Sequence, residues 1–343
     1  MLMFISRLEK FILNMERECI MKRFLAGLLL AAMLLSLFAC GGHKKRIVIY
    51  LSSEEYRVEY FQKRLKETFP QYDVVLEYLP TGTHAAKLEA EGLETVCDIT
   101  FELDYGYLGS LTHLLADLSG YDTSLYLDEL IPPDRTYLPT LRNGGCIAVN
   151  RALLDQKNLP LPQSYEDLLK PQYMGLISMP NPKASGTGYM FLKSLVNAWG
   201  EDQAFDYFDS LTANILQYTS SGSGPVNALV QGEAAIGLAM TAQTVTEINR
   251  GSALEIVFFE EGSPYSLYGM AMIKGREERP EVREVFDFFL GTLVVEDKEL
   301  FFPEKIFKAR DFQLENYPTD IPYADMSGDT SPEKARLLAK WVH

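Results

Sequence analysis

The sequence has few of the residues that metal sites and catalytic sites require. Its 343 residues include four cysteines and four histidines, and the histidines, at positions 43, 84, 113 and 343, are too scattered to form a ligand set. It contains no G-x-S-x-G, H-E-x-x-H or G-x-x-x-x-G-K-[ST] motif, and no G-x-G-x-x-G that follows a strand. These absences predict a protein that is not an enzyme and that holds no metal or cofactor.

Positive charge is also scarce. The chain has 32 Lys and Arg residues against 47 Asp and Glu residues. The first 39 residues contain five basic and three acidic side chains, so the remainder carries a formal net charge of −17. Nucleic-acid binding requires a basic surface, so this composition argues against it. A small anion is still an acceptable ligand, because local dipoles and not the net charge set the potential inside a cleft.

One long apolar run stands out, from Phe24 to Phe38, directly after the basic start Met21-Lys22-Arg23. This layout is typical of a secretory signal peptide, and the run is short for a helix that spans a bilayer. We therefore expect residues 1–39 to be a signal peptide whose translation start is misassigned at Met1 instead of Met21. A signal anchor that is never cleaved is the alternative.

Cysteine usage points to export. Leu37-Phe38-Ala39-Cys40 resembles the lipobox of bacterial lipoproteins, in which the cysteine becomes the first mature residue and carries the lipid. The resemblance implies a protein that is lipid-anchored on the extracytoplasmic side of the cell membrane, with residues 40–46 as lipidated Cys40 and its tether. Cys97 and Cys146 remain in the folded part, where either a disulfide or two buried thiols would suit an exported protein.

From Arg46 onward, short strand-like runs alternate with amphipathic stretches. Residues 47–51 are typical of a buried strand, a turn at 80–83 precedes a predicted helix, and residues 268–273 are a further predicted strand. This alternation predicts an α/β fold, and the 304 residues after position 39 are enough for two lobes. Predicted crossing strands at 146–150 and 254–259 assign 47–147 and 265–343 to lobe 1 and 148–264 to lobe 2.

Two loops rich in Ser, Gly and Thr precede predicted helices in lobe 2. Ser185, Gly186 and Thr187 stand between a strand and a helix, where free backbone N–H groups can hold an anion. The loop from Thr219 to Gly224 has the same character, although both loops are also compatible with ordinary helix capping. Further loops are expected at strand ends facing the cleft in lobe 1.

The chain resembles the type 2 periplasmic binding proteins of ABC importers, in particular the extracellular solute-binding group that includes ferric-iron, polyamine, thiamine, phosphonate and sugar-phosphate binders. The resemblance covers residues 46–325 and rests on the segments 83–98, 162–173, 181–189, 230–237, 261–265, Gly269 and 274–275. It implies two α/β lobes joined by two crossing hinge strands, with a ligand in the cleft between them and closure on binding.

The resemblance also bears on the ligand. Ferric-iron members carry adjacent tyrosines after the Gly-Glu segment, whereas this chain has Ala239-Met240-Thr241-Ala242-Gln243 there. We therefore favour a small organic anion bearing a phosphate, phosphonate or carboxylate. Ferric iron, a polyamine or thiamine are the alternative ligands, and a sensing subunit for a membrane receptor is the alternative role.

The expected partners are a small-molecule solute, an ABC transporter permease and, through the lipid, the membrane; the protein is expected to be a monomer. Residues at the predicted strand ends and helix starts are expected to bind the ligand: Ser52, Ser53, Glu54, Thr83, Asp104, Ser185, Gly186, Thr187, Ser220, Ser221, Ser223, Thr241 and Tyr265.

Overall fold

The computed structural model describes residues 44–343. The expected signal peptide, the alternative start at Met21 and the expected lipidation of Cys40 lie outside the described residues. Residues 46–343 form one compact unit. In the described part of the chain, no helix is both long enough and apolar enough to cross a membrane.

Nine strands and eleven α-helices follow one another along the described chain. The strands are β1 Lys45–Leu51, β2 Tyr72–Tyr78, β3 Ile99–Asp104, β4 Leu138–Asn150, β5 Ile177–Pro180, β6 Ile215–Thr219, β7 Ile236–Met240, β8 Leu254–Val257 and β9 Tyr265–Met272. The helices are α1 Glu55–Thr68, α2 Thr81–Glu91, α3 Tyr105–Ser110, α4 Arg151–Gln156, α5 Gly186–Trp199, α6 Glu201–Leu211, α7 Gly224–Val230, α8 Thr241–Asn249, α9 Pro280–Phe288, α10 Val294–Leu300 and α11 Ser331–Lys340.

Strand β4 connects the two halves of the sheet, whose order is β2-β1-β3-β9-β4-β7-β5-β6. Its first half pairs with β9, from Leu138 opposite Met270 to Gly144 opposite Tyr265. Its second half pairs with β7 and β8, from Gly145 opposite Met240 onward. We call the half that contains β1, β2, β3 and β9 the first lobe, and the half that contains β5, β6, β7 and β8 the second lobe.

Each lobe has helices on both faces of its sheet, so its strands are buried on both sides. In the first lobe, Ile47, Ile49 and Leu51 pack with α1 and α9, whereas Val48 and Tyr50 pack with α2. In the second lobe, Ile147 and Val149 pack with α5 and α6, whereas Cys146 and Ala148 pack with α7. This layered arrangement is the α/β class expected from the sequence.

Three elements differ from the sequence expectation. Helix α2 begins at Thr81, so the predicted turn over 80–83 is mostly helical and Thr83 lies in the first helical turn. Strand β8 belongs to the second lobe, and the chain crosses back through residues 258–264 before β9. Strand β6 was not predicted, because it lacks the apolar run of a buried strand. Its positions are exposed or polar apart from Ile215 and Tyr218, which are partly buried.

The C-terminal segment contacts both lobes. Leu337 and Trp341 lie in the core of the second lobe, where the Trp341 ring packs 5.3 Å from the ring of Phe208. The hydroxyl of Ser331 donates a hydrogen bond to the carbonyl of Gly106 in the first lobe. The sequence analysis assigned every residue after 265 to the first lobe; the buried apolar face of α11 packs with core residues of the second.

Cys97 and Cys146 are both buried free thiols. Cys97 packs in the first lobe and Cys146 packs in the second. Burial raises the pKa of the Cys146 thiol to about 12, so it stays protonated and unreactive at neutral pH. Of the two outcomes left open by the sequence, the structure has two thiols.

Candidate functional site

Three strands of the second lobe end at the same edge of the sheet, because β5 pairs in parallel with both β6 and β7. Each strand is followed closely by a helix: α5 after β5, α7 after β6 and α8 after β7. Carboxyl ends of parallel strands and the helix starts beside them are where open α/β sheets bind ligands. This arrangement brings the Ser/Gly/Thr-rich loops after β5 and β6 to the same edge of the sheet.

The start of α5 is tightly docked on the end of β5. A Cβ atom at Gly188 would lie 2.3 Å from the carbonyl oxygen of Pro180, so only glycine allows this approach. Ser185 is the N-cap residue, and within residues 44–343 its side chain makes no capping hydrogen bond. The capping interpretation of Ser185 is therefore not what the structure shows. The first N–H groups of an α-helix have no acceptor within the helix, and the Ser185 side chain does not supply one for α5.

The second loop touches the first. A Cβ atom at Gly222 would lie 2.3 Å from Thr187 Oγ1, and one at Gly224 would lie 2.3 Å from the Thr219 side chain. The hydroxyls of Ser221 and Ser223 are 2.9 Å apart and hydrogen-bonded to each other. The loop that contains Ser220, Ser221 and Ser223 thus lies against the start of α5, as the sequence predicted.

The start of α8 adds a buried hydroxyl to this edge. Thr241 is 0% exposed, and its Oγ1 has no hydrogen-bond partner among the described residues. One turn later, Thr244 is equally buried, but its hydroxyl donates to the carbonyl of Met240 at 2.9 Å. Thr241 nevertheless lies close enough to the Cys146 thiol to oppose the rise that burial causes in the pKa of that thiol, so its hydroxyl has a weak sulfur contact.

Two amide side chains near Thr241 were not predicted from the sequence. Asn143 is buried on the crossing strand β4, with its Oδ1 unpaired among the residues that the structure covers and its Nδ2 3.6 Å from Met240 Sδ. Gln243 donates to the carbonyl of Ser223 at 3.3 Å. The signal that could have found Asn143 is an amide residue just before Gly144 and Gly145 in the middle of a long buried strand.

The first lobe presents carboxylates where the second presents hydroxyls. Asp104 ends β3, and its Oδ1 accepts a hydrogen bond of 2.9 Å from the backbone N–H of Gly106 at the start of α3. Asp329, in the loop before α11, has a raised pKa because it is buried and because Asp104 is nearby. The Tyr189 hydroxyl of α5 donates to Asp329 at 2.8 Å. This side of the site therefore favours a cationic or hydroxyl-bearing part of a ligand.

Ser53 lies in a buried ion cluster, and the half-exposed Glu54 lies at its edge. Ser53 donates to Glu102, and Glu54 accepts from Arg57 at 2.8 Å. The Arg57 guanidinium is 0% exposed and also pairs with Glu102 and, at 2.7 Å, with Asp297. Glu102 has a positive φ of 54° at an irregularity of the β3–β9 pairing, and this backbone turn directs its carboxylate toward Arg57. The predicted ligand residues here thus have structural partners.

Ser52, a further predicted ligand residue of the first lobe, contacts a histidine, and Thr83 lies on the surface of a helix. The Ser52 hydroxyl lies 2.9 Å from His84 Nδ1, and Thr100 Oγ1 lies 2.9 Å from His84 Nε2. Burial, with a smaller contribution from Lys87, lowers the pKa of His84 to about 3, so the ring is neutral. Thr83 is exposed in the first turn of α2.

Tyr265 begins β9 at the crossing, opposite Gly144. Its ring lies 4.8 Å from the guanidinium carbon of Arg142 and 5.3 Å from the ring of Tyr323. Residues 239–243, where a ferric-iron site would carry tyrosines, form the end of β7 and the start of α8. Within residues 44–343, no group of His, Cys, Asp and Glu side chains is arranged to hold a metal ion.

The two-lobed α/β fold with a shared crossing strand is the architecture of a solute-binding protein. The chain belongs to the family of bacterial extracellular solute-binding proteins, whose model matches residues 115–305. The fold is that of type 2 periplasmic binding proteins, which confirms the fold class expected from the sequence. The protein is accordingly a binder of a small-molecule solute outside the cytoplasm and not an enzyme.

Three similar proteins illustrate the range of the family. An uncharacterized protein of Haemophilus influenzae is 27% identical over 329 residues, which cover 87% of this chain and 90% of that protein. The structure of AfuA from Actinobacillus pleuropneumoniae with exogenous fructose 6-phosphate bound is 26% identical, with a TM-score of 0.75 over 88% of this chain and 98% of AfuA. The phosphoglycerate transport regulatory protein PgtC of Salmonella typhimurium is 22% identical over 149 residues, which cover 43% of this chain and 37% of PgtC.

Proposed function

We propose that this protein is the substrate-binding component of an ABC transporter and that it binds a small organic anion in the cleft between its lobes. The anionic group, a phosphate ester, phosphonate or carboxylate, is held by the second lobe. Its binding residues are the N–H groups of Gly186 and Thr187 with the hydroxyls of Ser185, Thr187, Ser220, Ser221, Ser223 and Thr241.

The observation that carries the proposal is the close approach of the loop around Gly222 to Thr187 at the start of α5, a helix start whose N-cap side chain makes no capping hydrogen bond. Free N–H groups and the positive end of a helix dipole favour an anion, and each hydroxyl adds a donor. An anion bound between Thr187 and Thr241 would satisfy donors that are otherwise unpaired. The relatives support an organic phosphate, since AfuA is seen with fructose 6-phosphate and PgtC is named for phosphoglycerate transport.

The remaining part of the solute faces the first lobe. Asp104 and the nearby Asp329 are the carboxylates available to its hydroxyl or ammonium groups. Glu54 contributes less, because Arg57 already pairs with it. We further propose that Cys40 carries the lipid that anchors the protein outside the membrane, where a permease receives the solute from the closed lobes.

The test begins with mass spectrometry of any small molecule that copurifies with the protein. A thermal-unfolding screen follows with fructose 6-phosphate, phosphoglycerate, inorganic phosphate, spermidine, thiamine and ferric citrate. We expect an organic anion to raise the unfolding temperature, because a ligand at a hundredfold over its Kd adds about 2.7 kcal/mol of stability. Stabilisation by ferric ion, spermidine or thiamine, with every organic anion inactive, would refute the proposed ligand class.

The site assignment is tested with the Ser185→Ala/Thr187→Ala double variant. We expect it to fold normally and to bind the identified anion at least about tenfold more weakly, the loss that corresponds to one hydrogen bond to a charged group. A double variant with Ser110→Ala and Thr112→Ala in the first lobe is the control and should bind as the wild type does. Unchanged affinity of the first variant would show that α5 does not hold the anion.

A further inference from the structure

A second cavity lies behind the crossing strand, separate from the proposed ligand cleft. Its volume is about 610 Å³, enough for a small metabolite. Arg142 lines it on the side of β4, and residues from the segment 303–323 line the rest. None of the residues proposed for the cleft belongs to its lining.

Arg142 and Asn143 are consecutive residues of an extended strand, so their side chains leave opposite faces. Asn143 faces Met240 at the start of α8. The Arg142 guanidinium carbon instead lies 4.4 Å from the ring centroid of Tyr323 and 4.8 Å from that of Tyr265. The cavity that Arg142 lines is therefore on the face of the crossing strand away from Asn143.

Arg142 is a buried cation without an ionic partner. The residue is 6% exposed, and its Nε has no hydrogen-bond acceptor anywhere in the described chain. Among residues 44–343, no carboxylate forms an ion pair with Arg142. The second basic residue that lines the cavity, Lys305, is paired: its Nζ lies 3.0 Å from Asp311 Oδ1. Cation–π contacts and a side-chain interaction with the Tyr323 hydroxyl hold the guanidinium in place, and its Nε is left without an acceptor. A buried charge of this kind requires an anion.

The nearby buried carboxylate is already occupied. Glu304 accepts hydrogen bonds from the backbone N–H of Gly144 at 2.9 Å, from Tyr317 at 2.7 Å and from Tyr323 at 2.8 Å. Burial raises its pKa, and these three donors oppose that effect. Glu304 thus fixes the segment 303–323 on the crossing strand, and among the described residues it forms no ion pair with Arg142.

The other lining residues restrict the anion. Aromatic and aliphatic side chains supply much of the wall: Phe312, Leu314, Tyr317, Pro318, Ile321 and Tyr323. Glu304, Asp311 and Asp320 also line the cavity and would repel a phosphate dianion. A single guanidinium forms two parallel hydrogen bonds with a planar carboxylate.

We propose that this cavity is a second binding site, which takes a small monocarboxylate with an apolar body and pairs its carboxylate with Arg142. The ligand body packs between the aromatic and aliphatic residues of the segment 303–323. Because β4 is shared by both lobes, a ligand in this cavity contacts the strand about which the lobes would move. This site does not depend on the ligand class proposed for the cleft.

The probe is benzoate, with 4-bromobenzoate for crystallography. Titration calorimetry of the full protein should show saturable binding of one benzoate, and the anomalous signal of bromine should lie in the cavity beside Arg142. Arg142→Gln should weaken benzoate binding about ten- to hundredfold, as expected for loss of a charge-assisted hydrogen bond. Inorganic phosphate should not compete.

Two matched variants complete the test. Arg135→Gln also removes a guanidinium with a buried, unpartnered Nε, but Arg135 does not line the cavity and should leave benzoate binding unchanged. Thr241→Val alters the cleft and should also leave it unchanged. If Arg142→Gln does not fold, the position of the bromine in crystals of the wild-type protein shows whether the ligand lies in the cavity beside Arg142. Bromine located in the cleft, equal affinity of Arg142→Gln, or no saturable binding would overturn the proposal.

Discussion

The two lobes face the cleft with opposite chemistry. In the first lobe, the polar groups near the strand ends are charged and paired: Arg57 with Glu54, Glu102 and Asp297, and the Asp104 carboxylate with the N–H of Gly106. In the second lobe, the corresponding groups are uncharged: the hydroxyls of Thr187 and Thr241 and the N–H groups at the starts of α5 and α8. In the first lobe the polar groups are paired within the protein, whereas the groups of the second lobe are those that we propose as donors to the ligand.

This difference is consistent with the anionic ligand that we propose for an acidic protein. Net charge acts over the whole surface and is screened by salt, whereas the N–H groups of a helix start act at hydrogen-bond distance. Buried ion pairs fix the first lobe because removing one member leaves a charge without a partner. Removing a hydroxyl from the second lobe leaves no such charge, so stability and binding should respond to different residues.

The largest effect is expected from breaking the ion cluster of the first lobe. Arg57→Met removes the buried guanidinium that pairs with both Glu102 and Asp297, which should lower the free energy of unfolding by about 3–5 kcal/mol. Arg64→Met is the control, since Arg64 is partly exposed and pairs with Glu296 at 2.6 Å, and it should cost at most about 1 kcal/mol. Denaturant unfolding measures both; equal losses would contradict the contrast.

A second prediction separates the two lobes by ligand affinity. Thr187→Val should weaken binding of the organic anion by about 1.5–3 kcal/mol, because it removes one hydrogen bond to a charged group. Asp104→Asn should weaken binding of the whole solute but not of inorganic phosphate, since we place the anion on the second lobe. Calorimetric titration with both ligands gives the comparison. Loss of phosphate binding in Asp104→Asn alone would reverse the assignment.

Titration of His84 should make the first lobe sensitive to acid. Its pKa is lowered in the folded protein to about 3, so its stabilising effect is complete above pH 6.5 and is lost as the pH falls toward 3. Between pH 7 and pH 5, His84 should account for a loss of about 2 kcal/mol in unfolding free energy. Denaturant titrations at both pH values should show a smaller loss for His84→Gln. An identical pH dependence would exclude this role.

The smallest expected effect is on the stability of the ligand-free protein, which two threonine-to-valine substitutions in α8 should change in different directions. Thr244→Val removes a hydroxyl that is bonded to the Met240 carbonyl, and should lower stability by about 1 kcal/mol. Thr241→Val removes a hydroxyl that is buried without a partner among the described residues, and should leave the ligand-free protein as stable or slightly more stable. Thermal unfolding without ligand tests this pair. A larger loss for Thr241→Val would mean that its hydroxyl has a structural role.

The sequence predicted the fold better than the site. Buried strands such as Ile47–Leu51 and the helix starts after β5 and β6 have local signals, because apolar runs and Ser/Gly/Thr loops are visible in any window. The roles of Ser52 and Ser53 were not visible, since their partners His84 and Glu102 are far along the chain. Whether a hydroxyl is free or paired depends on tertiary contacts.

The same limit applies to the cavity behind the crossing strand. Arg142 is one basic residue in a strand, and no local pattern shows that Tyr265 and Tyr323 enclose it. The C-terminal helix α11 has an amphipathic pattern, but its pattern does not say which lobe it contacts. Helices and strands were thus predictable where their own residues carry a local pattern. Contacts between segments that are distant along the chain were not predictable.

The most direct test of the account is an amide NMR titration of the isotope-labelled protein with the copurifying solute, or with fructose 6-phosphate as a probe. We predict that the N–H signals of Gly186, Thr187 and Gly188 and those of residues 241–243 shift with one common Kd, as expected for donors to an anion. Saturable binding that shifts the signals around Glu54 and Asp104 but leaves those helix starts unchanged would contradict the account.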